Sequence, residues 1–140
     1  MPPSLPEVLR IAREAGDIIL HHYRSSHLDV IQKEDHSPLT IADRESDQFI
    51  CRELSRLTPS IPILSEETSA PEYENRKQWD RFWLVDPLDG TREFLKRNGE
   101  FTVNIALVEK GEPILGVIFA PEMSLLYYAQ KGEGAWKQSG

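Results

Sequence analysis

Four carboxylates have the types and spacing to do chemistry: Glu66, Glu67, Asp86 and Asp89. Each follows the end of a short apolar run, Ile61-Pro62-Ile63-Leu64-Ser65 or Arg81-Phe82-Trp83-Leu84-Val85. Two such strands side by side in one sheet bring the acids to one edge, where like charges repel unless cations lie among them. Hard oxygen ligands select magnesium, manganese or calcium, and magnesium keeps waters and substrate phosphates in its remaining positions. The chemistry suggested is phosphoryl transfer. Taken singly the same residues read blandly, Glu66-Glu67 as a solvated loop and Asp89-Gly90 as a turn.

The spacing from Asp86 excludes two familiar patterns. An EF-hand loop starting there needs glycine at its sixth position and glutamate at its twelfth, where Thr91 and Arg97 stand. Aspartyl-phosphate hydrolases of the haloacid dehalogenase type place two aspartates two apart, but here Leu88 occupies that position and the next acid is Asp89.

The elements that must position these acids follow from periodicity. Ser4-Leu5-Pro6-Glu7 is a capping-box pattern, and Val8, Ile11, Ala12, Ala15, Ile18, Ile19 and His22 make one apolar stripe, so a helix is expected over residues 5–23. His21, His22 and His27 do not share a face, which makes a metal cluster the weaker reading. Leu28 to Gln32 is a short β-favouring run. A second helix is expected from Thr40 as N-cap, with Ile41, Ala42, Phe49, Ile50, Leu54 and Leu57 inward, until Thr58-Pro59 stops it. Asp43 there completes a capping box or does chemistry. Cys51 reads as a structural thiol within that helix. A charged loop over residues 68–78 precedes the Arg81–Val85 strand. Phe101–Val108, Ile114–Ala120 and Leu125–Ala129 then read as an antiparallel meander with turns at Lys110-Gly111-Glu112 and Pro121-Glu122. Helices followed by consecutive strands indicate an α+β, layered α/β sandwich architecture. Trp79, Trp83 and Trp136 read as core or edge packing, and Arg92, Lys96 and Arg97 as a charged helix face or a grip on a second phosphate.

At 140 residues the chain is one ordinary domain or part of a larger one. With 39% hydrophobic and 28% charged residues and no apolar run near the roughly 20 needed to span a bilayer, no integral membrane segment is expected. The N-terminus lacks a secretory signal pattern, and the single cysteine fits a reducing, cytoplasmic setting. A formal net charge of -7 argues against a nucleic-acid surface.

Asp86-Pro87-Leu88-Asp89-Gly90-Thr91, preceded by Ser65-Glu66-Glu67 and Thr40-Ile41-Ala42-Asp43, resembles the lithium-sensitive, magnesium-dependent phosphatases of the inositol monophosphatase superfamily. The run from Arg92 to Leu107 looks most like the CysQ-type 3'(2'),5'-bisphosphate nucleotidases within it. The resemblance implies that fold's N-terminal part, two helices and then a mainly antiparallel sheet. It implies Glu66, Asp86 and Asp89 as metal ligands through their side chains and Leu88 through its carbonyl. Asp43 and Thr91 are implied as the catalytic pair that activates water, and Glu66, Leu88, Asp89, Gly90 and Thr91 as substrate-binding. The implied cofactor is Mg2+, two or three ions in the complete site, with Mn2+ as a substitute and Li+ and Ca2+ as inhibitors.

The implied reaction is hydrolysis of the 3'-phosphate of adenosine 3',5'-bisphosphate to AMP, with 3'-phosphoadenylyl sulfate as a related substrate, in sulfur assimilation. An inositol or sugar bisphosphatase and a non-catalytic metal-binding module remain alternatives. The family's chains are about twice this length, and their second half carries a Trp-Asp motif that completes the metal site. Residues 1–140 are therefore expected to be the N-terminal metal-binding portion of a phosphatase domain, inactive alone. A homo-oligomer and a peripheral place on the inner membrane's cytoplasmic face are left open.

Overall fold

The computed structural model describes residues 5–25, 38–65, 79–89 and 100–139. Helix α1 spans Leu5–Ser25 and α2 spans Pro38–Leu57. The strands are β1 (Ile63–Ser65), β2 (Arg81–Asp89), β3 (Thr102–Glu109), β4 (Glu112–Ala120), β5 (Leu125–Gln130) and β6 (Gly134–Ser139). They form one sheet in consecutive order, β1 parallel to β2 and every later pair antiparallel. Two helices followed by a mainly antiparallel sheet is the expected α+β arrangement. Ser4 and the Leu28–Gln32 run lie outside the described residues.

Each element buries the face its pattern predicts. On α1, Val8, Ile11, Ala12, Ala15 and Ile19 have no exposed surface, while Ile18 and His22 sit half-buried at the stripe's border. On α2, Ala42, Ile50 and Leu54 are fully buried. This helix begins at Pro38, which suits a first turn because the missing N–H would be unbonded there anyway. Thr40, expected as the residue that caps the helix from outside, thus lies within the first turn.

Both helices pack on one face of the sheet, α2 against β1 and β2, α1 against β3 and β4. Alternate strand residues meet them: Trp83 and Val85, Val103, Ile105 and Leu107, Leu115, Val117 and Phe119. Trp83 is the largest fully buried side chain. Its Nε1 donates to Thr58 Oγ1 at 2.9 Å and its backbone N to the Pro62 carbonyl at 2.9 Å, so one residue ties the end of α2 and the entry to β1 onto β2. Burying a side chain of this size is worth about 3 kcal/mol, and satisfying its N–H keeps that gain.

The opposite sheet face carries no helix among the described residues. Leu84, Ala106, Gly116, Ala129 and Ala135 form one row across it. Asp86, Asn104, Ile118, Tyr127 and Lys137 form the next. Leu84, Ile118 and Tyr127 on this face are each 40–45% exposed, as is Trp136 in the row of Val117 and Tyr128 on the other face. Trp136 stacks on Tyr128 with ring centroids 5.5 Å apart, while Trp79 tilts against Phe82 at the sheet's other end. β6, exposed at every residue, was not expected as a strand.

Two local contacts have measurable consequences. Gly16 allows α1 to approach β4 closely, since a Cβ there would stand 2.4 Å from Phe119 Cε2 and 3.1 Å from Pro121 Cβ. Alanine is about 1 kcal/mol better than glycine in a helix, but overpacking costs about 1–3 kcal/mol. Gly16→Ala is therefore expected to lower Tm, and a Tm at or above the parent's in a thermal melt refutes the contact. The Cys51 thiol donates to Asp47 Oδ1 at 3.4 Å. Burial first, and the Asp47 charge second, push its pKa up to about 12. A folded pKa above the unfolded one adds stability that is fully present below about pH 8.5 and is lost as pH rises toward the folded value. At pH 8 a disulfide reagent is expected to label Cys51 fast in denaturant and at least about a hundredfold more slowly in the folded chain; equal rates overturn the assignment.

Candidate active site

β2 delivers the two aspartates, and it does so by breaking its own alternation. Arg81 to Asp86 pair regularly with Glu109 to Asn104, but the next paired residues are Asp89 and Thr102. Pro87 and Leu88 on β2 therefore oppose Val103 alone, a β-bulge, and proline fits there because no ladder hydrogen bond requires its N–H. In a regular strand, residues three apart point to opposite faces. The extra residue restores the phase, so Asp86 and Asp89 share the face of Asn104 and Thr102, away from the helices. Asn104 Nδ2 donates to Asp89 Oδ2 at 3.1 Å, and Thr102 Oγ1 donates to Asn104 Oδ1 at 2.9 Å. This chain of donors fixes the Asn104 amide against one Asp89 oxygen. Asp86 and Asp89 thus lie within β2, not after its end as their turn-like sequence suggested.

α2 reaches the same place from the other side. Asp43 is half-buried, and Ser46 and Asp47, three and four residues on, share its helix face. Ser46 Oγ donates to the Pro87 carbonyl at 2.8 Å, and Ser65 Oγ at the end of β1 donates to Asp47 Oδ1. Ser46, Asp47 and Ser65 are the buried polar or charged residues of the described part, and all three lie at this junction.

The positions expected from sequence thus divide. Asp86, Leu88 and Asp89 are brought together on β2, with Asp43 on the neighbouring helix. Glu66, Gly90 and Thr91 lie outside the described residues, as do Glu67, His27, Arg92, Lys96 and Arg97. Ser65, the last residue of β1, pairs in parallel register with Val85, the residue before Asp86 on β2. Among the described residues no three His, Cys, Asp or Glu side chains lie close enough to hold a metal ion. The donors that are present suit a hard divalent cation: two carboxylates on one face and the Leu88 carbonyl, without thiolate or imidazole.

Asn104, Ser46 and Asp47 were not anticipated. Thr102-Val103-Asn104 carried a signal, two polar residues on one face of a strand whose other members are apolar up to Glu109. Arg44-Glu45-Ser46-Asp47-Gln48 reads as a solvated helix face, and nothing in it announces burial.

Comparison with known proteins places the fold in a family. The 3'(2'),5'-bisphosphate nucleotidase CysQ of Salmonella typhimurium is 52% identical over 135 residues, 96% of this chain and 54% of that protein. CysQ of Escherichia coli K12 is 53% identical over the same shares. The crystal structure of CysQ from Bacteroides thetaiotaomicron superposes with a TM-score of 0.88 at 48% identity, covering 96% of this chain and 48% of that one. The extragenic suppressor protein suhB of Bartonella henselae superposes at 0.80 with 31% identity, covering 96% and 51%. The chain spans about half the length of the relatives it matches. Residues 5–139 match the profile of the inositol monophosphatase family, and the chain belongs to that family.

Proposed function

We propose that residues 1–140 form the N-terminal metal-binding portion of a magnesium-dependent phosphomonoester hydrolase that takes the 3'-phosphate from adenosine 3',5'-bisphosphate, leaving AMP. The observation that carries this reading is the bulge that sets Asp86 and Asp89 in phase, with Asn104 holding Asp89. Two carboxylates on one face suit a divalent cation, whose charge offsets theirs. The choice of nucleotide over inositol or sugar phosphates is supported by the identity to CysQ proteins, about half of all aligned positions.

In this reading Asp86, Asp89 and Glu66 hold Mg2+ through side chains and Leu88 through its carbonyl, so the leucine side chain is free to pack inward; it is 2% exposed. Magnesium held there would lower the pKa of an attacking water and offset charge on the phosphoryl and leaving oxygens. Asp43 takes the proton of that water through the Thr91 hydroxyl. Gly90 lets the backbone approach the phosphate without a Cβ in the way. Mn2+ substitutes, Li+ and Ca2+ inhibit, and 3'-phosphoadenylyl sulfate is a second substrate. The setting is sulfur assimilation in the cytoplasm. Among the described residues no helix is long and apolar enough to cross a membrane.

The test is phosphate release with Mg2+, from the chain alone and from the chain joined to the part of Escherichia coli CysQ that lies beyond the aligned region. The joined chain is expected to prefer adenosine 3',5'-bisphosphate to inositol monophosphate, and the reverse preference sinks the substrate assignment. Asp89→Asn in the joined chain is expected to cost about a hundredfold in kcat/KM or more. Unchanged turnover removes Asp89 from the metal site. The chain alone is expected to turn over at least about a hundredfold more slowly than the joined one, because a two-metal site needs its full ligand set; comparable rates show that residues 1–140 suffice.

A further inference from the structure

The buried polar residues beneath the aspartates are not needed to hold a cation or move a proton, yet they occupy places where apolar side chains would be more stable. A hydroxyl or carboxylate taken out of water costs more than it returns unless its hydrogen bonds are made, and even then an apolar replacement is often no worse. Ser46 has no exposed surface, and Asp47 and Ser65 are 5% and 3% exposed. Their bonds go to particular places. Ser46 Oγ is 2.8 Å from the carbonyl of Pro87, a residue without a partner in β3. Asp47 Oδ1 accepts from Ser65, the last residue of β1, and from the Cys51 thiol.

We propose that Ser46 and Asp47 are positioning residues: one turn of α2 clamps the β2 bulge through the Pro87 carbonyl and the end of β1 through Ser65, setting where the aspartate-bearing end of β2 stands against α2 and β1. The proposal rests on the reading of Asp86 and Asp89 as metal ligands. A bulge is held in register by whatever satisfies its displaced backbone groups. Without the Ser46 hydroxyl the Pro87 carbonyl loses that bond, and the two residues that phase the aspartates can shift. Without Asp47 the end of β1 is held to β2 by the parallel ladder of a three-residue strand. Because Asp43 lies one turn earlier on the same helix, the clamp also sets its height above the strands.

The test reads metal binding and needs no turnover: Mn2+ titration of the 140-residue chain, followed by the electron paramagnetic resonance of free Mn2+, with Tm measured in parallel. Ser46→Ala and Asp47→Ala are each expected to raise the Mn2+ dissociation constant about tenfold or more. Asp47→Asn, whose amide oxygen still accepts from Ser65, is expected to stay within about twofold of the parent. Ile50→Val, which removes one buried methyl from α2, is expected to lower Tm with the constant unchanged. Parent-like affinity in Ser46→Ala overturns the proposal, and this variant lacks only a hydroxyl, so the test stands even if Asp47→Ala does not fold. An equal loss in Ile50→Val overturns it too, as a sign of general loosening, and a loss in Asp47→Asn matching Asp47→Ala replaces positioning by charge. A parent chain that binds no Mn2+, or binds it regardless of Asp89→Asn, sinks the metal-site reading itself. That result is distinct from a parent that binds through Asp89 while Ser46→Ala is indifferent.

Discussion

One extra residue in β2 is the constraint on which the candidate site depends. The sheet has a helix-covered face and an open one, and a strand residue is committed to a face by the parity of its position. Trp83 and Val85 spend the inward positions on the core, so Asp86 points outward. Without the bulge Asp89 would point inward, toward a layer built from Ile50, Leu54 and Phe101. A lone carboxylate there would be driven to its neutral form or would unseat the helices. Pro87 is suited to the irregularity because it has no N–H to lose, and Leu88 because its side chain is buried in the core.

Around that irregularity the molecule trades stability for placement. Most of the core is apolar and close-packed, and Trp83 locks α2 to the strands with its only polar atom satisfied. Where α2 crosses the bulge, the packing changes to hydroxyl, carboxylate and carbonyl. Such groups hold their partners by direction as well as contact, which a methyl group cannot do. On the outer side Asn104 and Thr102 perform the complementary task, turning one Asp89 oxygen toward an amide. The aspartates are thus constrained from both faces of the sheet by residues that themselves carry no charge, apart from Asp47.

Much of the fold was legible because its strongest signals are periodic. The stripe on α1 and the alternation of Val103, Ile105 and Leu107 follow directly from burial on one face. β6 was not legible: Gly134-Ala135-Trp136-Lys137-Gln138-Ser139 is exposed throughout and held by its ladder to β5, so no alternation marks it. The length of β2 was obscured because Asp-Pro-Leu-Asp is composed of strand breakers, and only the partner strand shows that the break is a bulge. The types and spacing of Asp86 and Asp89 pointed to a cation before any geometry was known. Ser46 and Asp47 stayed hidden because a buried polar residue on a helix differs from a solvated one only in what packs on it.

The consecutive order of the strands bears on how the molecule folds. From β2 to β6 every pairing joins neighbours in the chain, β3 to β6 through short turns such as Lys110-Gly111, where both residues hold positive φ. Contacts of this kind close small loops and form early, since little chain entropy is lost before the first bond is made. The β1–β2 pair is different, being parallel and separated by residues 66–80. It closes a larger loop with only three residues of ladder as immediate return. By this topology the meander assembles as a platform, and the edge that carries the candidate site is completed late, when α2 comes down on it. By contact order, the pairing that costs the most chain entropy to close is then the one at the edge that carries the candidate site.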